Sequence, residues 1–193
     1  MTRPRLLGLL VVLLALAGAV LYGLRDEPAK TAVAEDLRPL QAKAALAPCP
    51  RGLSADLPDL ELPCLGGGPA VPLRGPGTGK PTLVNVYGSW CGPCLEEMPT
   101  LRRLHQLAGE RLALVGVDTE DPAKRALQFA IDVGQTWPAV VDDDGLVSRH
   151  YGGGAPKMVF VDAKGAVVHV ERAAYRTLAR LKADVLTYLG VRL

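Results

Sequence analysis

The chain has 193 residues, enough for one folded domain and an appendage, and its formal net charge is only +2. Arg3 and Arg5 account for that excess, so the rest of the chain carries equal numbers of basic and acidic side chains. Because no broad positive field would attract phosphates, the composition argues against a nucleic-acid partner and favours no acidic one.

The first element is an apolar run from Leu6 to Leu24 that contains no charged residue. As a helix it would span roughly 28 Å, close to the hydrocarbon thickness of a bilayer. Arg3 and Arg5 precede it, so the positive-inside rule places residues 1–5 in the cytoplasm and the following chain outside. We therefore predict a transmembrane signal-anchor at residues 6–24, with a cleaved signal peptide as the alternative. Under either interpretation the cysteines reach a compartment in which disulfides persist.

The next segment, residues 25–55, is rich in Ala, Pro and charged residues and lacks the apolar density of a core. This composition predicts an extracytoplasmic linker that is partly helical around residues 32–46. Residues 56–193 are predicted to form the folded domain, which is long enough to bury one core.

Strand-like and helix-like patterns alternate within the predicted domain. Short β-branched runs bounded by Gly and Pro predict strands, and apolar residues three or four positions apart predict helices. This order of elements predicts a mixed α/β sheet that is covered on both faces. In chain order the predicted elements are a hairpin of Leu60–Leu65 and Ala70–Arg74, a strand at Thr82–Gly88, a helix at Leu95–Leu107 kinked at Pro99, a strand at Leu112–Val117, a helix at Pro122–Val133, a strand at Pro138–Val141, a hairpin of Met158–Val161 and Val167–Val170, and a helix at Tyr175–Leu189.

The chemistry of the chain centres on Trp90-Cys91-Gly92-Pro93-Cys94, which lies between a predicted strand and a predicted helix. The free N–H groups and the dipole of a helix N-terminus stabilise a thiolate on Cys91. Pro93 suits the first helical turn, and the spacing brings Cys94 within bonding range of Cys91. We predict that Cys91 is the exposed attacking thiolate and that Cys94, more buried, resolves the mixed disulfide.

Two other interpretations of these cysteines remain. One is a purely structural bridge between Cys91 and Cys94, and the other is a zinc site that also uses Cys49 and Cys64. Zinc ligands normally come as two close pairs, whereas fourteen residues separate Cys49 from Cys64. The histidines show no shared ligand spacing either, so we expect no metal and no other cofactor.

The segment VNVYGSWCGPCLEEMPTL, at residues 84–101, resembles the active-site segment of the TlpA/ResA family of membrane-tethered thioredoxin relatives. The resemblance covers roughly residues 56–189. It implies a thioredoxin-like α/β fold with an N-terminal β-hairpin extension, which residues 60–74 would supply. Members of this family exchange disulfides with protein thiols outside the cytoplasmic membrane, and they often reduce apocytochrome c before haem attachment.

The resemblance also assigns substrate-binding residues. Pro156 matches the family's cis-proline, opposite the CxxC motif, where the backbone of Ala155 would pair with an extended substrate. Ala155 stands where the family more often has a β-branched residue. The smaller alanine would loosen the substrate contact here. Trp90, Gly92 and Pro93 are expected to contact the substrate beside the reactive sulfur.

The resemblance gives Glu97 a role in proton transfer. Glu97 matches an acidic residue that lies near the active-site thiols of the family, where a carboxylate can take or return the proton of Cys94. Asn85 occupies the strand position where thioredoxin itself has a buried aspartate, which leaves Glu97 as the proton carrier. The alternative is that Glu97 is an exposed helical residue like its neighbour Glu96.

Cys49 and Cys64 lie outside the thioredoxin core. A disulfide between them would close a loop of about 15 residues and would contribute on the order of 3 kcal/mol to stability. We predict this structural role, with free thiols or a second redox relay to Cys91 as the alternatives.

Together these features predict a single-pass protein of the cell membrane whose extracytoplasmic domain reduces exported protein disulfides, apocytochrome c among them. Its partners would be exported protein thiols and a membrane electron donor. Two alternatives remain, namely an oxidant that introduces disulfides and a non-catalytic thioredoxin-fold chaperone for haem, copper or a partner protein.

Overall fold

The computed structural model describes residues 36–193. The predicted transmembrane segment at residues 6–24 and the first part of the predicted linker lie outside the described residues. Within residues 36–193, no helix combines the length and the apolar character that a membrane span requires.

Five helices and seven strands make up the described part of the chain. Their order is α1 (Arg38–Ala44), β1 (Glu61–Leu62), β2 (Val71–Pro72), β3 (Thr82–Tyr87), α2 (Gly92–Ala108), β4 (Ala113–Thr119), α3 (Ala123–Val133), β5 (Ala139–Asp142), α4 (Leu146–His150), β6 (Lys157–Val161), β7 (Val167–Glu171) and α5 (Leu178–Leu189), with a short 3₁₀ turn after α2 at Gly109–Arg111.

The main sheet has five strands in the order β5-β4-β3-β6-β7. Strands β3, β4 and β5 run parallel, while β6 is antiparallel to β3 and β7 is antiparallel to β6. Every residue of the central strand β3 is buried, because the sheet is covered on both faces, as its continuous apolar pattern predicts. The loop that carries the two central cysteines leaves the carboxyl end of this strand.

The two faces of the sheet bury separate apolar clusters. On one face, α2 and α5 pack over residues such as Leu83, Met158 and Phe160. On the other face, Val84 and Val86 of β3 pack with residues that precede or form the short β1–β2 pair. Strands β1 and β2 pair antiparallel over two residues each.

The compact unit begins at Leu37, earlier than the domain start that composition predicted at residue 56. Helix α1 packs against α3, and Leu53 and Leu57 are fully buried on the sheet. The segment is rich in Ala and Pro and contains few large apolar residues, so composition alone indicates a linker. Tertiary packing buries them, since Leu53 and Leu57 belong to the apolar cluster that contains Val84 and Val86 of β3.

Two helices differ from the sequence prediction. Helix α2 begins at Gly92, three residues before the predicted start, and contains Pro99. The five-residue helix α4 was not predicted, because so short a segment shows no full helical period.

Candidate active site

The two central cysteines lie at the N-terminus of α2. Cys91 is the N-cap residue, with extended backbone dihedrals, and its Sγ accepts a hydrogen bond from the Cys94 amide at 3.2 Å. Pro93 occupies the first turn, where a backbone N–H has no helical acceptor to lose. Cys91 and Cys94 form a disulfide with their Cα atoms 5.2 Å apart. The sulfur of Cys91 therefore lies at a helix start and accepts a hydrogen bond from one of its amides, the setting that stabilises a thiolate.

Cys91 is less exposed than the sequence predicted. Its residue exposure is 3%, against 0% for Cys94, so the predicted order holds but the attacking residue is not open to solvent in the disulfide form. The reason is that its sulfur is bonded towards the buried Cys94 and packs in the same apolar cluster as Tyr87 and Met98. Gly92 and Pro93, between the two cysteines, are the exposed part of the motif.

Glu97 is buried, which excludes the exposed-helix alternative. Its residue exposure is 1%, because it lies three positions after Cys94 on the same inward-facing side of α2. Asn85 Nδ2 donates a hydrogen bond to Glu97 Oε1 at 2.6 Å, and the amide of Tyr175 donates to Oε2 at 3.1 Å. Both carboxylate oxygens are thus held in place, one from the central strand and one from the segment before α5.

Burial raises the pKa of Glu97 from 4.5 to about 7, against the opposing effect of the hydrogen bonds from Asn85 and Tyr175. A group with such a pKa exchanges its proton readily near neutral pH, which is the requirement for general acid–base chemistry. A buried carboxyl with a pKa near neutrality therefore lies one helical turn beyond Cys94.

The peptide bond between Ala155 and Pro156 is cis, as the resemblance implies, and not the trans bond of an ordinary loop proline. Pro156 is buried and leads directly into β6, whose first residue, Lys157, is paired in register with Val86 of β3. This pairing brings the cis-proline to the same end of the sheet as the β3–α2 loop. Ala155 is half-buried and packs against the apolar cluster that contains both cysteines.

Trp90 projects from the β3–α2 loop beside the disulfide. Its side chain is large and apolar, yet the residue is 45% exposed, while its Nε1 donates to the carbonyl of Thr119 at 3.1 Å. The ring passes so close to Gly88 that a Cβ there would lie 2.4 Å from Nε1. Glycine at position 88 is therefore required for the indole to occupy this site.

One buried carboxyl near this loop was not found from the sequence. Asp118 lies on β4 in register with Tyr87, the last residue of β3, and is fully buried. Burial raises the pKa of Asp118 to about 8, with a further increase from the charges of Asp121 and Asp143. The signal in the sequence was an aspartate within an otherwise apolar strand.

Cys49 and Cys64 form the second disulfide, as predicted, with Cα atoms 6.0 Å apart. Cys64 forms an isolated bridge to Val140 of β5, the strand at the edge of the sheet. Strand β4 separates β5 from β3, so this disulfide is not part of the site at the end of β3.

Several curated proteins that this chain resembles are named for disulfide exchange. The chain is 39% identical over 99 residues to the thiol:disulfide interchange protein DsbE homolog of Paracoccus denitrificans, covering 50% of this chain and 51% of that protein. It is 32% identical over 91 residues to the thiol-disulfide oxidoreductase ResA of Geobacillus thermodenitrificans, covering 46% and 52% respectively. The chain thus spans about half the length of the curated relatives it matches, and they confirm the resemblance to ResA-like proteins.

A solved structure identifies the fold of the chain, and a family model identifies its family. A thiol:disulfide interchange protein from Chlorobium tepidum TLS, described as a thioredoxin family protein, superposes with a TM-score of 0.57 at 22% identity, covering 75% of this chain and all of that one. This superposition confirms the thioredoxin-like α/β fold. The family model described as Redoxin matches residues 53–185, well over half of the chain. The chain belongs to the Redoxin family.

Proposed function

We propose that this protein is an extracytoplasmic thiol–disulfide oxidoreductase that acts through Cys91 and Cys94. The observation that carries the proposal is a disulfide at a helix N-terminus with the buried carboxyl of Glu97 one turn further along the helix. The names of the DsbE and ResA relatives support the same chemistry.

Exchange begins from the reduced protein. The Cys91 thiolate attacks one sulfur of a substrate disulfide, so that the substrate S–S bond breaks and a mixed disulfide with Cys91 forms. The released substrate sulfur takes a proton from solvent. The exposed Trp90, Gly92 and Pro93 would contact the substrate during this step, and the backbone of Ala155 would pair with its extended chain.

The second step resolves the mixed disulfide. Glu97 accepts the proton of the Cys94 thiol, and the resulting thiolate attacks the sulfur of Cys91. The bond between Cys91 and the substrate breaks, and the leaving substrate sulfur takes up the proton that Glu97 held. The substrate has gained two electrons and two protons, and Cys91 and Cys94 again form a disulfide.

The Gly-Pro dipeptide between the cysteines, which this chain shares with the reducing thioredoxin, supports a physiological direction. In our proposal, the domain reduces exported protein disulfides, including that of apocytochrome c. A membrane electron donor then returns the Cys91–Cys94 pair to the dithiol. Residues 6–24 would anchor the domain to the outer side of the cell membrane.

A trapping experiment with the full-length chain tests the reaction. Cys94→Ser leaves the attacking sulfur but removes the resolving one, so mixed disulfides on Cys91 should accumulate and should appear as reducible complexes on non-reducing gels. Cys91→Ser is the matched control and should give no complexes. Complexes of equal abundance in both variants, or in neither, would contradict the proposed roles of the two cysteines.

A further inference from the structure

The loop before the cis-proline has an unusual backbone. Gly152, Gly153 and Gly154 are consecutive, and all three have positive φ angles, of 93°, 76° and 73°. Glycine adopts this region at no steric cost, but it also loses the most conformational freedom on folding. All three residues are exposed, so packing of side chains does not hold the loop in place.

A buried ammonium group holds the loop from inside. Lys157, the residue after the cis-proline, is only 3% exposed, and its Nζ donates hydrogen bonds to the carbonyls of Gly153, at 2.5 Å, and Gly154. The hydroxyl of the fully buried Ser148 donates to the same Gly154 carbonyl at 2.9 Å. Two side chains from different elements, α4 and β6, thus converge on the carbonyls that precede Ala155.

Burial of a lysine at this position carries a desolvation penalty. Lys157 is a buried strand residue opposite Val86, where an apolar side chain would pack without loss of hydration. Burial lowers the pKa of Lys157, and the charge of Arg172 lowers it further, against the opposing effect of Glu120. The ammonium can be buried because two backbone carbonyls replace the water molecules that would otherwise solvate it. Lys157 therefore holds the loop through those hydrogen bonds and not through packing.

We propose that Lys157 is a positioning residue, which gathers the carbonyls of Gly153 and Gly154 and thereby fixes the backbone of Ala155 for pairing with an extended protein substrate. The inference rests on the proposed function, since it concerns the surface on which the substrate disulfide would bind. Lys157 does not take part in the exchange chemistry. It determines how well a peptide chain binds beside Cys91, and a small disulfide that needs no such binding is indifferent to it.

Lys157→Met tests this role because methionine keeps an unbranched side chain but removes the ammonium. The full-length protein is assayed with glutathione disulfide and with a peptide of roughly ten residues that contains one CxxC disulfide. Excess dithiothreitol returns Cys91 and Cys94 to the dithiol after each turnover, and the rate with dithiothreitol alone is subtracted. We expect KM for the peptide to rise about tenfold with little change in kcat, and the reaction with glutathione disulfide to stay unchanged. Ser148→Ala, which removes the second donor to Gly154, should shift KM in the same direction by a smaller factor.

The controls separate this inference from the proposed function. Lys164→Met removes one exposed lysine from the β6–β7 turn and should change neither reaction. Equal losses with both substrates would overturn the positioning role, as would an unchanged KM for the peptide in both Lys157→Met and Ser148→Ala. A wild-type protein that reduces neither substrate would instead contradict the proposed function itself.

Discussion

At the scale of single residues, Glu97 is the group whose environment most directly serves the chemistry. A carboxyl in water is almost fully ionised at neutral pH and returns a proton poorly. Burial in α2 moves its pKa to about 7, while the donors from Asn85 and Tyr175 keep the ionised form accessible. In the proposed reaction, Glu97 would therefore be suited both to accept the proton of Cys94 and to release it again.

The pKa of Glu97 predicts how stability depends on pH. The folded protein holds the Glu97 proton up to about pH 7, whereas an unfolded chain loses it near pH 4.5. Between these values the unfolded state binds fewer protons, so Glu97 makes the free energy of unfolding fall as pH rises, and the loss is complete above pH 7. Glu97→Gln should remove this part of the slope. At pH 8 its free energy of unfolding should exceed that of the wild type by an amount on the order of 3 kcal/mol.

The measurement is urea unfolding of the oxidised protein over this pH range. Glu96→Gln is the matched control, since Glu96 is exposed and pairs with Arg176 at 2.7 Å on the surface. It should leave the slope unchanged. An identical pH dependence in the wild type and Glu97→Gln would show that Glu97 is not protonated in the folded state at the pH values concerned.

At the scale of elements, the second disulfide secures the edge of the sheet. Residues 63–65 pair with the outer side of β5, through bonds from the Val141 amide to the Pro63 carbonyl at 3.0 Å and from the Leu65 amide to the Ala139 carbonyl at 2.8 Å. The Cys49–Cys64 bond ties the segment after α1 to this isolated β-bridge. An edge strand that would otherwise expose unpaired backbone groups is thereby covered.

Removal of this bridge should affect stability and not exchange. Cys49→Ser combined with Cys64→Ser releases a loop of 15 residues, which should lower the free energy of unfolding by about 3 kcal/mol. The rate of peptide reduction by Cys91 should stay the same, because β4 separates β5 from β3. Thermal unfolding checks the expected loss of stability, and the exchange assay checks that the rate of peptide reduction is unchanged. Lost exchange with unchanged stability would instead favour a redox relay between the two pairs.

The elements also show where sequence patterns reach their limit. Strand β3 and helix α2 were predicted because their apolar runs are long and periodic, and the CxxC motif between them identifies the reactive cysteines. The five-residue helix α4 has no comparable period, and the buried residues Leu53 and Leu57 are isolated in a polar segment. Their structure depends on distant contacts that no local pattern encodes.

At the scale of the whole molecule, the candidate site is assembled from three distant parts of the chain. Glu97 and the amide that holds its carboxylate, from Tyr175, are 78 residues apart in sequence. The resemblance indicated the acid and the cis-proline, but neither the burial of Cys91 nor the lysine beneath the glycine loop. The position of the lysine depends on the way β6 aligns with β3, and the burial of Cys91 depends on its bond to Cys94 and on the apolar cluster around it. Both are properties of the fold and not of a motif.

The fold itself does not set the direction of electron flow, since one thioredoxin-like framework can carry either a reductant or an oxidant. The stability of the disulfide relative to the dithiol decides this. A helix N-terminus that stabilises the Cys91 thiolate favours the dithiol, and the proton held at Glu97 modulates this balance. We expect the Cys91–Cys94 pair to remain a reductant despite the stabilised thiolate.

The reduction potential of the Cys91–Cys94 pair tests that expectation most directly. It is measured by equilibrating the protein in graded redox buffers, trapping the thiols and quantifying the two forms by mass spectrometry. We predict a value near or below about −250 mV, close to that of thioredoxin. A value near about −120 mV, typical of strong oxidants, would contradict the reductant role and would make the protein an enzyme that introduces disulfides.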